Sequence, residues 1–174
     1  MTPFVIGCIQ FILSLIVYAL IAAWYVYPCL RNKEWNKAII PLLLIHCFRY
    51  TPLTILMPGQ VSDNVPSDIA QTIAYGDLIS AVLALIAMVM AWYKIAGAKA
   101  VIWIFTLIGF GDVIITSIKG IGAGLLNMPM GFNLYILNFY VPMLIVSHIL
   151  IIKILLKKTL TRIYTKKKTS THYN

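Results

Sequence analysis

Acidic residues are scarce in this chain: five in 174, of which Glu34 is the single glutamate, and charged residues of both signs together make up 11%. A soluble domain carries about 25% charged and about 45–50% apolar residues. With 61% hydrophobic residues and a mean hydropathy of +0.90, a water-soluble globule is excluded, and so is a chain that stays disordered for want of apolar surface. Three cysteines are present, Cys8, Cys29 and Cys47, with no Cys-x-x-Cys pair. Cys8 and Cys29 fall near opposite ends of one apolar run, so quinone-linked disulfide chemistry is not supported and the cysteines read as small buried hydrophobes. His-Glu-x-x-His, Gly-x-Ser-x-Gly, P-loop and dinucleotide fingerprints are all missing. Too few carboxylates and histidines gather at one level for metal-assisted hydrolysis. No lysine lies mid-run, where a retinal Schiff base would need one. These absences weigh against an enzyme.

What is there instead is length. The apolar residues fall in five runs of the ~20–25 residues that cross ~30 Å of hydrocarbon. They cover about residues 3–28, 38–58, 68–92, 99–126 and 132–157. The expected fold is an all-α, polytopic membrane protein: a five-helix transmembrane domain over residues 1–157 and a basic tail over 158–174. Short loops leave no room for a soluble catalytic domain. The first run lacks a positive n-region and exceeds the ~7–15 residues of a signal h-region, so it is expected to be a retained helix.

Lysine and arginine are absent from two of the four loops. Arg31, Lys33 and Lys37 follow the first span, Lys94 and Lys99 the third, and Lys157, Lys158, Arg162, Lys166, Lys167 and Lys168 the fifth. The second and fourth loops have none, and the longer carries Asp63 and Asp68. Positive charge marks cytoplasmic loops, so the pattern predicts an outside N-terminus and a cytoplasmic C-terminus in a bacterial-type plasma membrane, the cell inner membrane. The net charge of +9 then sits mostly at the cytoplasmic face. There the six basic residues from Lys157 to Lys168 are expected to meet anionic lipid headgroups, each contributing about 1 kcal/mol near the surface. Lipid contact is preferred to nucleic-acid binding, because juxtamembrane basic tails serve topology.

Ionisable groups at membrane depth cost about 2.5–3.5 kcal/mol or more each and usually face the bundle interior in pairs. Arg49 lies nine residues before Pro58 and Asp77 nine after Asp68, both ~13 Å from the outer boundary at ~1.5 Å per residue. Asp112 lies thirteen residues past Lys99, at much the same level, which predicts an Arg49 pair with Asp77 or Asp112. His46 and His148 form a second layer, ~12–14 Å from the cytoplasmic side. Helical spacing puts His46, Arg49 and Tyr50 on one face. Further polar or small-residue stripes are Gly7, Gln10, Ser14, Tyr18, Ala22 and Tyr25 in span one, Gly76, Ser80, Ala84, Ala87 and Ala91 in span three, and Gly109, Asp112, Thr116 and Gly120 in span four. Asn138 and His148 flank Pro142 in span five. Gly76-Asp77-Leu78-Ile79 echoes Gly111-Asp112-Val113-Ile114, a match short enough to be coincidence in helices rich in Gly and Ile. The loop from Met57 to Ser67 is a turn or a lid.

The expected site is therefore a polar, charge-paired cavity in which Arg49, Asp77, Asp112, His46, His148 and Tyr50 bind or transport a proton, an ion or a small polar ligand. One alternative is a haem-binding electron-transfer subunit, with haem b held by His46 and His148 as axial ligands. The other is a non-catalytic subunit of a larger membrane complex or homo-oligomer, joined through small-residue seams.

Overall fold

The computed structural model describes residues 1–170, with side chains as far as Lys157. Among the described residues every regular element is helical. Five helices are long and apolar enough to cross a membrane: α1 (Pro3–Leu30), α2 (Trp35–Leu56), α3 (Ser67–Trp92), α4 (Ala98–Gly122) and α5 (Asn133–Lys157). They coincide with the expected spans to within a few residues. Gly124, at φ 67°, turns the chain after α4, and Leu125–Asn127 forms a separate 3-10 turn. The helix that contains α5 runs on to Ser170. The side chains of Lys158, Arg162, Lys166, Lys167 and Lys168, and residues 171–174, lie outside the described residues.

Prolines shape three of the helices. A proline inside a helix has no N–H to donate, and its ring collides with the carbonyl four residues back. Pro28 and Pro142 are each preceded by a five-residue π turn, Ala22–Val26 and Ile136–Tyr140, which widens the helix where that carbonyl lies. In α2 the solution is the reverse. The α-helix ends at His46, and Cys47–Leu56 winds as a ten-residue 3-10 helix around Pro52. Runs beyond about 3–4 residues are uncommon for this geometry and often mark functional segments.

Four helices supply most of the packed centre, and α1 adds only Ala22 and Leu30 to it. Ile39 and Leu43 of α2, Ile102 and Phe105 of α4 and Ile151 and Leu155 of α5 interlock around Ala84, Ala87 and Ala91 of α3. The small α3 residues let the neighbouring backbones approach closely. Helix α1 packs chiefly on α5. It is apolar nearly all round, so no single face demands burial, and Tyr25 of its expected inward stripe is 71% exposed. Cys29 is also exposed rather than buried.

The two ends of the bundle differ. At the basic-loop end Glu34 pairs with Lys37 and Lys94 at 3.8 and 3.7 Å. At the acidic-loop end the 57–66 loop is tied to the 123–132 loop by the Ser62 N–H, which donates to the Pro129 carbonyl at 2.8 Å. Val61 and Val65 pack with Met128 around Ile55, Ala70, Ala74, Leu125 and Met130. The longer loop is thus a packed closure of that end.

Candidate functional site: a buried arginine between two aspartates

The 3-10 geometry of α2 determines which of its side chains point inward. With three residues per turn, positions three apart stack, and His46, Arg49, Pro52 and Ile55 form one buried row. Tyr50 falls a third of a turn away and is 48% exposed. Its expected place in the site is corrected, because the i, i+4 neighbour relation on which it rested belongs to an α-helix.

Arg49 is completely buried, with no accessible surface, and three groups on two helices, α3 and α4, hold it. Its Nε donates to Asp77 Oδ1 at 2.7 Å, its Nη2 to Asp112 Oδ2 at 2.7 Å, and its Nη1 to the Gly109 carbonyl at 2.9 Å. Nη2 also lies 2.7 Å from Asp77 Oδ1. One guanidinium therefore meets both carboxylates, where the sequence offered one or the other. Charge-assisted bonds of this kind are short and about twice as strong as neutral ones. Two glycines admit the arrangement. A Cβ at Gly76 would collide with the Asp112 carboxylate, which lies against the α3 backbone. A Cβ at Gly109 would stand 2.9 Å from Arg49 Nη1 and 3.3 Å from His148 Nε2. Gly111 faces open space, so the two glycines of the four-residue echo between α3 and α4 are not equivalent, although its two aspartates both bind Arg49. Thr116 completes the α4 face by donating to the Asp112 carbonyl at 2.7 Å.

The histidines do not form a separate layer. His148 reaches the same glycine as Arg49, and it touches His46 with ring centroids 4.2 Å apart. Phe105 meets His46 edge-on at 5.0 Å and stacks on His148 at 5.2 Å, and Phe110 closes in at 5.6 Å. Ser147 Oγ lies 2.6 Å from His46 Nε2 and donates to the Leu144 carbonyl at 3.0 Å. The hydroxyl can donate to only one of these two acceptors at a time, so the direction of the Ser147–His46 bond follows the histidine's tautomer. His46 Nδ1 and both ring nitrogens of His148 are buried without a hydrogen-bond partner.

This arrangement of the rings does not fit a haem between them. Metal–nitrogen bonds of about 2.0–2.1 Å to two axial imidazoles put their ring centroids about 6 Å apart with the macrocycle between them. Here the rings are in van der Waals contact, and Ser147 occupies the Nε2 of His46. No group of three metal-ligating side chains is present among the described residues.

Beside the ion cluster, towards the acidic-loop end, lies a cavity of about 340 Å³. The sequence anticipated polar walls, but they are mostly apolar, with Phe11 and Ile12 from α1, Ile55 from α2 and Val113 and Ile121 from α4 among them. Asp77, Thr116, Ser117, Asn133 and Asn138 supply the polar fraction. Asp77 thus faces Arg49 on one side and the cavity on the other. Asn138 donates to Gln10 Oε1 at 2.8 Å, and Asn133 Oδ1 accepts from Thr54 at 3.0 Å. Sequence reasoning missed Asn133, Ser147 and the Gly109 carbonyl as parts of the site. A backbone acceptor leaves no sequence signal, but Pro52 was a visible sign that α2 departs from α-geometry.

An apolar five-helix bundle with a buried arginine–dicarboxylate centre is thus the class that fold and site define. The chain belongs to the family described as a domain of unknown function (DUF8737), whose profile matches residues 6–156. No curated protein and no solved structure matches it.

Proposed function

We propose that the protein is an integral membrane binding or transport protein that takes up a proton at the Arg49–Asp77–Asp112 centre and couples it to the adjoining cavity. The carrying observation is the charge balance of that centre. One fully buried guanidinium faces two carboxylates, which leaves one negative charge in excess where an unneutralised charge is costly. A proton on the carboxylate pair removes the excess. Asp77 lines the cavity, so its charge state bears directly on what the cavity holds. His148 and His46 continue from Gly109 towards the basic-loop end with three unpartnered nitrogens, and imidazole is the side chain suited to relaying protons near neutral pH. The alternating Lys and Arg of the loops support an N-out, C-in orientation in a bacterial-type inner membrane, with the basic tail on anionic headgroups.

Infrared difference titration of the purified protein tests this without knowledge of a substrate. A carboxylic-acid carbonyl band is expected to appear on acidification of the folded protein and to be lost or shifted in Asp112→Asn and Asp77→Asn. A wild-type protein with no titrating buried carboxyl across its folded pH range would refute proton uptake.

A further inference from the structure

Two amide groups on the cavity wall are left without partners. Asn133 Nδ2 is a donor with nothing to donate to, and Asn138 Oδ1 an acceptor with nothing to accept from. Both residues line the cavity, and each is only 6% exposed. Buried polar groups are paired in the great majority of cases, and an orphan calls for an explanation. Both stand on the first turns of α5, and the π turn at Ile136–Tyr140, with its i to i+5 bonding, favours one face for residues five apart. The rest of the wall is overwhelmingly apolar and includes no lysine or arginine. Asp77, the one carboxylate on it, is bound to Arg49. An anionic head would meet no cation there. A purely polar ligand would leave the apolar walls unmatched, and apolar cavities tend to exclude water. The volume lies near the lower end of the about 300–1,000 Å³ of small-molecule pockets. Two of its lining residues, Ile12 of α1 and Ile121 of α4, are also 54% and 60% exposed on the apolar exterior, so the cavity reaches the outer surface of the bundle between these helices.

We infer that the cavity binds an uncharged, apolar-bodied molecule with a single hydroxyl head, received sideways from the hydrocarbon phase between α1 and α4. The hydroxyl accepts from Asn133 Nδ2 and donates to Asn138 Oδ1. This names the ligand class of the cavity that the proposed function couples to protonation, and rests on that reading for its consequence but not for the binding itself.

The test uses the full chain in lipid nanodiscs, with a diazirine-bearing decanol as photoprobe and peptide mapping of the crosslinks. Labelling is expected on the cavity walls of α1 and α5, near Phe11, Ile12 and Leu137. Excess 1-decanol is expected to compete at least tenfold better than decanoate, decylammonium or decane. Asn138→Leu and, separately, Asn133→Leu are expected to erase that preference, and Ser117→Phe, which fills the cavity, to abolish specific labelling. Circular dichroism identifies the variants that keep the fold, and the two Asn variants serve if Ser117→Phe does not. Equal competition by decane and decanol, or labelling outside the cavity, would overturn the inference. The infrared carboxyl titration repeated on Ser117→Phe separates the two ideas: a retained band with lost labelling shows that proton uptake stands apart from ligand binding. Intact decanol labelling in a wild type without a titrating carboxyl would uphold the ligand while removing proton coupling.

Discussion

Replacing Gly109 with alanine inserts one methyl group at the point where Arg49, α4 and His148 meet. The added Cβ would stand 2.9 Å from Arg49 Nη1 and 3.2 Å from His148 Cε1, against 3.4–4 Å for an ordinary contact. Neither neighbour has an easy way out. Arg49 is held by Asp77, Asp112 and the Gly109 carbonyl itself, and His148 is walled in by His46, Phe105 and Phe110. Overpacking of this kind costs about 1–3 kcal/mol, and weakening one hydrogen bond to a charged group adds about 1.5–3 kcal/mol. Alanine's better helix propensity returns about 0.5–1 kcal/mol, so a net loss of roughly 1.5–5.5 kcal/mol is expected. Two residues along the same helix, a Cβ on Gly111 meets nothing within 4 Å, and Gly111→Ala should be neutral or stabilising by up to about 1 kcal/mol. Reversible unfolding by sodium dodecyl sulfate in mixed micelles, followed by far-ultraviolet circular dichroism, measures both variants. A Gly109→Ala protein as stable as Gly111→Ala would refute the packing of Arg49 against this glycine.

Three further outcomes follow from the same contacts. His148→Phe, which places a ring of similar shape among Phe105, Phe110 and His46 and removes two unpartnered nitrogens, is expected to change unfolding stability by less than about 1.5 kcal/mol; if His148 also relays protons, proton flux in reconstituted vesicles falls while the fold persists. His46→Phe removes the Ser147–His46 bond while leaving Ser147 its bond to the Leu144 carbonyl and is expected to cost about 0.5–1.5 kcal/mol, so a variant as stable as the unsubstituted protein in the same unfolding assay would contradict the assigned bond. Tyr50→Phe is expected to leave both stability and the carboxyl titration unchanged, because the ring projects outward from the 3-10 helix.

What was legible in the sequence is what helical rise alone controls. Counting residues from the span ends put Arg49, Asp77 and Asp112 at one level and His46 level with His148, and the structure brings each group together. Rotation about the helix axis was less legible. Tyr50 was placed by α-helical phase, and the 3-10 winding around Pro52 moves it out of the site while leaving His46 and Arg49, three apart, in register. Matching depth likewise says nothing of the gap between two rings, and His46 and His148 stand with centroids only 4.2 Å apart. A cavity was expected, but its apolar lining was illegible because it depends on where α1 stands, and an almost uniformly apolar helix carries little information about which way it faces.

Arg49, Asp77 and Asp112 form one electrostatic unit. Unfolding free energies of Arg49→Met and of the triple variant Arg49→Met/Asp77→Asn/Asp112→Asn test it directly. Removing the guanidinium alone leaves two buried carboxylates uncompensated and should cost about 3–5 kcal/mol, whereas neutralising all three groups should recover most of that loss. Equal destabilisation in the single and triple variants would contradict the claim.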